Sequence, residues 1–174
     1  MTHLGTQYIE TDRLVLRKLE RSDAQSFLDN IAADDEVTKF LAGWPENCTV
    51  PMMEEILDRW ISQYSDLDCY NWAIVLKENG FEAIGQVIVF YWDEITGAPN
   101  LGCCLGRRWW NQGIMTEALG TVIDYLLDRV GVARIEAYCD QENHASQAVI
   151  EKCGMKYEIT KDWAGCYAIG RGER

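Results

Sequence analysis

The order of apolar patterns predicts one domain, residues 1–174, of the α+β class, with a central twisted mixed sheet flanked by helices. Three observations predict this. A first strand pattern is followed by helical patterns, and three strand patterns then succeed one another across short turns. The remainder alternates as β-α-β-α-β. With 174 residues, 48% hydrophobic and 25% charged, the chain holds enough apolar material for one substantial core and not for two.

Leu14-Val15-Leu16, between Arg13 and Arg17, predicts a first strand over 13–19. Ser22 is placed to cap a helix carrying Ala24, Phe27, Leu28 and Ile31 on one face. After the acidic break at 34–36, Val37, Phe40 and Leu41 suggest a short second helix ending at Gly43, and Trp44-Pro45 reads as a turn. Thr49 before Pro51 predicts a helix over 52–64, with Met53, Ile56, Leu57, Trp60 and Ile61 inward. Residues 71–76 and 83–92 read as strands joined at Glu78-Asn79-Gly80, since Asn-Gly tolerates positive φ. Gly85 marks a bulge or a close approach. Residues 96–100 turn back into a core strand over 101–105. A helix over 116–130 and a strand over 134–139 follow. Asn143 then opens a helix with Ala145, Ala148, Val149 and Ile150 on its apolar side, ending at Gly154. Strands over 155–160 and 166–169 complete the order.

The stretch over 102–118, GCCLGRRWWNQGIMTEA, joins strand to helix through the turn at Gly113. Such a join leaves backbone N–H groups unpaired at the positive end of a helix dipole, where phosphate binds well. Neither a P-loop nor a dinucleotide-binding glycine fingerprint occurs.

A net charge of −12 argues against nucleic acid as a partner and favours cationic ones through long-range steering. The seven cysteines show no CxxC pair and mostly lie in apolar runs, so they read as small buried hydrophobes of a reducing compartment. With only two histidines, a His-based metal centre is not expected. No apolar run approaches a membrane span, and the first residues carry no secretory pattern. A cytoplasmic protein, monomer or homodimer, is the expectation.

Several short motifs stand in order along the chain. They are Thr11-Asp12-Arg13-Leu14-Val15-Leu16-Arg17, then Ala83-Ile84-Gly85, then Trp110-Asn111-Gln112-Gly113-Ile114-Met115-Thr116-Glu117-Ala118. Asn143-His144-Ala145-Ser146 and Lys152-Cys153-Gly154-Met155 close the series. At this spacing the chain resembles the Gcn5-related N-acetyltransferase (GNAT) family, and within it the RimJ/RimL-like ribosomal-protein-alanine acetyltransferase branch. The resemblance implies that fold, with acetyl-CoA as co-substrate, no metal, and direct acetyl transfer to a primary amine in a ternary complex. It implies that the turn of Asn111, Gln112, Gly113, Ile114, Met115 and Thr116 binds the pyrophosphate through backbone N–H groups. Because the acetyl donor is anionic and the chain is acidic, Arg107, Arg108 and the helix start are expected to offset the field at the coenzyme end. The strand ending at Leu105 would splay from 134–139 and pair with the pantetheine arm, and Asn143 would hydrogen-bond the coenzyme.

The chemistry needs a deprotonated amine, a held oxyanion and a protonated leaving thiolate. Many relatives use a tyrosine acid seven residues after the Asn143-like position; Ile150 stands there. The ribosomal branch has a serine where Ser146 stands, so Ser146 is the candidate acid. A glutamate base common on the preceding strand is replaced by Asn100, leaving Glu94, Asp93 or a water chain as substitutes. Met115 stands where the family prefers Gly or Ala. The acceptor, a cationic peptide N-terminus or small amine, is expected among Asp34, Asp35, Glu36, Glu54, Glu55, Asp93 and Glu94, with Trp72 and Tyr91 as aromatic walls. The missing Glu and Tyr leave a second reading open, a non-catalytic acyl-CoA-binding sensor.

Overall fold

A computed structural model describes residues 1–41 and 43–173. The chain begins with β1 (Ile9–Glu10) and β2 (Leu14–Arg17), then α1 (Ala24–Phe27), α2 (Asp35–Thr38) and α3 (Val50–Ser62). β3 (Asn71–Leu76), β4 (Ala83–Trp92) and β5 (Pro99–Leu105) form a meander. α4 (Ile114–Asp124), β6 (Arg134–Asp140), α5 (His144–Lys152), β7 (Lys156–Lys161) and β8 (Ala164–Gly170) follow. One eight-stranded sheet results, in the order β1-β2-β3-β4-β5-β6-β8-β7. Every neighbouring pair is antiparallel except β5 and β6, between which α4 carries the chain back across the sheet; short turns join β1 to β2, β3 to β4, β4 to β5 and β7 to β8, while α1–α3 intervene between β2 and β3 and α5 and β7 between β6 and β8. The mixed sheet flanked by helices is the predicted class.

The two faces of the sheet have separate cores. Leu14, Leu16, Trp72, Leu101 and Ile135 meet Leu119, Ile123 and Leu127 of α4 and its continuation. On the other face Phe27, Met53 and Leu57 of α1 and α3 cover Ala73 and Ala83, with Cys104 packed alongside. Alternation along β5 and β6 therefore sends Leu101, Leu105, Ile135, Ala137 and Cys139 toward α4. Asn100, Gly102 and Cys104, like Glu136 and Tyr138, face the α1–α3 side.

β3 and β4 fall on the predicted residues, and several boundaries elsewhere differ for local reasons. The first strand is shorter than 13–19, and the two-residue β1 was not foreseen because so short a segment carries no period. Ser22 does not cap α1. A 3-10 turn over Arg21–Asp23 precedes it, with Glu20 and Asp23 exchanging side-chain and backbone hydrogen bonds, and buried Asp23 takes two bonds from Arg17 at 2.8 and 2.7 Å. The second helix ends at Thr38 rather than Gly43, and the following turn falls at Glu46-Asn47 rather than Trp44-Pro45. α3 starts at Val50, with Pro51 at its second position.

Between β3 and β4 only Gly80 takes positive φ (78°); Asn79 ends a 3-10 turn. Gly85 is the close approach: a Cβ there would lie 2.5 Å from the Cys104 carbonyl oxygen. Pro99 and Asn100 belong to β5 rather than to the turn, and α4 starts at Ile114, immediately after Gly113. Its last turns, Tyr125–Val130, are π-helical, as is Leu28–Ala32 after α1. α5 buries Ile150 but leaves Ala145 and Ala148 exposed, so its apolar side is narrower than the sequence suggested. Among the described residues no helix is long and apolar enough to cross a membrane.

Candidate active site

β5 and β6 pair only at Asn100↔Glu136 and Leu101↔Ala137, then part. From Gly102 to Leu105 the β6-facing edge of β5 has no strand partner, while β4 still pairs the other edge. A bulge at Phe90 adds to the irregularity, since Val89 pairs with Leu101 and Tyr91 with Asn100. The fork opens into a cavity of about 1230 Å³. Gly102, Cys103 and Cys104 line it from β5, Tyr138 and Cys139 from β6, and Asn143 and Ser146 from the start of α5. Trp44, Trp60 of α3 and Phe90 of β4, whose ring covers Gly102, complete the lining.

Beyond Leu105 the chain makes a 3-10 turn and enters α4 through two left-handed residues, Asn111 (φ 61°) and Gly113 (φ 74°). Among the described residues, none of the backbone N–H groups of Asn111, Gln112, Gly113, Ile114, Met115 and Thr116 has a hydrogen-bond acceptor; the first helical bond is Glu117 N–H to the Gly113 carbonyl. Asn111, Gln112 and Gly113 are exposed. The turn thus presents a row of free donors at a helix start, an arrangement suited to phosphate oxygens. The Met115 side chain is buried in the core and does not crowd the turn. Trp110 is not a core aromatic: it is 37% exposed, and its indole N–H donates to the Leu105 carbonyl at 2.7 Å. The buried neighbour is Trp109.

Sequence reasoning missed what holds this turn. Arg13 Nη1 donates to the Gln112 carbonyl at 3.0 Å, and its Nε donates to Glu117 Oε2 at 2.7 Å. The Thr11 hydroxyl donates to Glu117 Oε1. The β1–β2 turn is thereby tied to the first turn of α4 across 104 residues of sequence. Both segments were quoted as motifs, but nothing in a linear pattern pairs them. Partial burial pushes the Glu117 carboxyl up, while the Thr11 and Arg13 bonds outweigh it and leave it below the usual carboxylate range. A carboxylate depressed in the folded state stabilises above its unfolded pKa, and that stabilisation is lost as pH falls through the folded value. Melting temperatures of wild type and Glu117→Gln are therefore expected to differ at neutral pH and to converge in acid below the usual carboxylate range. A constant gap at all pH values would separate the staple from this ionisation.

The other predicted site residues divide. Asn143 caps α5, its Oδ1 accepting from Ser146 N–H at 3.1 Å, and both residues reach the cavity. Leu105 ends the open edge with its side chain in the core. Arg107 is held by Asp34 at 2.8 Å, and the Arg108 guanidinium lies 5.7 Å from the Trp109 ring centre. These two arginines line a smaller recess of about 330 Å³ outside the fork. Glu94 is exposed in the β4–β5 turn and does not line the cavity. Asp93 beside it is consumed by that turn, accepting from the N–H groups of Ile95 and Thr96 at 3.0 and 2.7 Å.

Of the acidic residues expected at the acceptor cleft, only Glu55 lines the cavity. Glu54 is paired with Arg21, and Asp34 with Arg107. Trp72 is no wall: it is fully buried, its indole N–H bonded to the Gln7 carbonyl at 2.7 Å. Tyr91 does line the cavity, as does buried Asn100, whose Nδ2 has no partner among the described residues. Burial pushes the Cys103 thiol up to about 12 and raises Cys104 and Cys139 as well, so the cavity's thiols stay protonated at neutral pH.

Residues 13–156 match the family of acetyltransferase (GNAT) domains. The chain is 30% identical over 148 residues to the uncharacterized N-acetyltransferase p20 of Bacillus licheniformis, covering 85% of this chain and 82% of that one. Its fold superposes on that of a Vibrio cholerae protein named provisionally as a ribosomal-protein-serine acetyltransferase, with TM-score 0.81, 23% identity, and 98% and 99% of the two chains covered. It also superposes on the microcin C7 self-immunity acetyltransferase MccE, solved in complex with acetyl-CoA and AMP, with TM-score 0.79, 16% identity, and 92% and 93% covered.

Proposed function

The chain belongs to the GNAT acetyltransferase family, and from that premise we propose that it carries an acetyl group from acetyl-CoA directly to a primary amine, a peptide N-terminus or a small cationic amine. The observation that carries the reading is the fork in the sheet, with a cavity at its opening and a donor-rich turn a few residues beyond the open strand edge. The fork between parallel strands opens into a cavity lined from both faces of the sheet, and the unpartnered end of β5 leads along the chain to a helix start with free N–H donors. The residues present suit the co-substrate. The unpartnered edge from Gly102 to Leu105 offers backbone groups to an amide-bearing arm, and the turn at 111–116 offers donors to a pyrophosphate. When bound, acetyl-CoA supplies an activated thioester.

The chain's own residues then have separable tasks. Backbone donors of the turn hold the anionic end, with Arg13 and Glu117 fixing the turn's shape. Asn143 and Ser146 stand at the sulfur side of the fork, where the Ser146 hydroxyl donates to the departing thiolate. The protonated thiols of Cys103, Cys104 and Cys139 are poor nucleophiles, which supports direct transfer over an acyl-enzyme step. The absence of disulfides among the described residues also suits a reducing, cytoplasmic setting.

Thiol release from acetyl-CoA, measured against a panel of peptides and small amines, tests the reading. Amine-dependent release is expected; acetyl-CoA binding without release to any amine would favour the sensor. Glu55 lines the cavity from α3 and supports a cationic acceptor there. Glu55→Lys is expected to raise the Michaelis constant for a cationic acceptor several-fold and to spare that for acetyl-CoA. Added salt should shrink the difference, because surface charges are screened beyond about 8 Å at physiological ionic strength. Equal reaction of neutral and cationic amines at low salt would leave the −12 net charge a solubility feature only.

A further inference from the structure

We propose that Tyr138, backed by Glu136, takes the proton from the acceptor amine, supplying from β6 the base that Asn100 does not supply from β5. The inference rests on the reading above that an amine attacks at the fork. Asn100 and Glu136 are register partners in the parallel pair, so their side chains stand side by side on the α1–α3 face. The carboxylate missing from one strand is present on its neighbour.

Glu136 does not itself line the cavity, but Tyr138 does. Leu101↔Ala137 is the last pair before the strands part, so Tyr138 and Gly102 are the first residues beyond the fork on either side. Gly102 has no side chain, and the Phe90 ring of β4 covers it, its Cε2 so close that a Cβ there would clash, so Tyr138, Gly102 and Phe90 together line the cavity at the fork. The Tyr138 hydroxyl donates to Glu136 Oε2 at 3.2 Å and accepts from Lys161 Nζ at 2.9 Å. A phenol oxygen has two lone pairs, so one remains for an incoming N–H.

The transfer conserves protons and electrons. One proton passes from the ammonium nitrogen to the Tyr138 oxygen as the tyrosine's own proton moves to Glu136 Oε2. The nitrogen keeps its electron pair for attack, and the carboxyl releases its proton to solvent. Charged and titratable groups surround this pair on each packed strand. Arg134 bonds Glu136 Oε1 at 2.9 Å, Tyr91 lies on β4, Lys161 and Glu158 lie on β7, and Cys166 lies on β8. Lys161 pulls the Tyr138 phenol down, while burial, Cys166 and Glu136 push it up and prevail. The phenol therefore stays protonated and serves as a relay, with the carboxylate as the proton's destination. Of the other carboxylates at the cavity, Asp140 is bound by the Glu142 N–H at 2.8 Å, Glu55 is on α3, and Asp162 is exposed in the β7–β8 turn.

The test compares wild type, Tyr138→Phe and Glu136→Gln. The probes are acetyl-CoA with spermidine and with a peptide bearing a free N-terminal alanine, over a range of pH. Tyr138→Phe keeps the ring under Lys161 and removes only the hydroxyl. It is expected to lower turnover roughly 100- to 10,000-fold at neutral pH and to leave the acetyl-CoA Michaelis constant and thermal shift unchanged. Glu136→Gln should act in the same direction. For both variants the deficit should shrink as pH rises toward the amine's own pKa, where solvent has already removed the proton. Wild-type turnover in both variants, or a deficit constant with pH, would overturn the relay while leaving the acetyltransferase reading standing. Wild type that acetylates neither amine, while acetyl-CoA still raises its melting temperature, would overturn amine acetylation of this class and the relay with it.

Discussion

Gly113→Val is expected to abolish the stabilisation that acetyl-CoA confers on the fold. In wild type, ligand at a hundredfold excess over its dissociation constant should add about 2.7 kcal/mol, seen as a rise in melting temperature. Gly113 sits at φ 74° as the N-cap of α4, a conformation a β-branched residue adopts only under strain. The nearest atom to a Cβ there is Arg13 Nη2 at 3.6 Å, so space is not the obstacle. The backbone itself must change, and the row of free N–H groups from Asn111 to Thr116 loses its alignment. Strain of this kind costs on the order of 1–3 kcal/mol, so the free protein should melt somewhat lower as well. The decisive readout is the ligand-dependent shift. Its survival in the variant would place the anionic end of the ligand somewhere other than this turn.

The second large effect is expected at Ser146, where alanine should reduce turnover by roughly 10- to 1000-fold and leave the acetyl-CoA Michaelis constant nearly unchanged. The substitution is a clean probe because the α5 cap uses the Ser146 backbone N–H and the Asn143 side chain, both of which alanine retains. Only the hydroxyl disappears from the cavity wall. Protonation of the leaving thiolate belongs to the transition state, so loss of its donor appears in turnover rather than in binding. Unaltered turnover would leave Ser146 as a helix-start residue. A parallel rise in the Michaelis constant would mean that the hydroxyl binds the ground state.

Much of this molecule is determined by periodicity and turn chemistry alone. Residues 71–76 and 83–92 are nearly continuous apolar runs rich in β-branched and aromatic side chains and bounded by turn residues, and they form strands with those bounds. The glycine turn into α4 and the Asn143 cap are local devices, set by the φ a residue tolerates and by one side chain's reach to a backbone N–H three residues on. Asn100 in place of a carboxylate was equally visible.

What tertiary structure alone decided is pairing between distant segments. Strand register places Glu136 beside Asn100 and Tyr138 at the fork, and no local pattern encodes which residue of one strand faces which of another. Arg13 meets Glu117 across 104 residues for the same reason. Charge shows the limit most clearly. Sequence proximity grouped seven acidic residues at one cleft, whereas folding spent Glu54 on Arg21 and Asp34 on Arg107 and turned only Glu55 to the cavity. A charged side chain is neutralised by whichever partner packing brings within a few ångströms, and packing is a property of the whole chain.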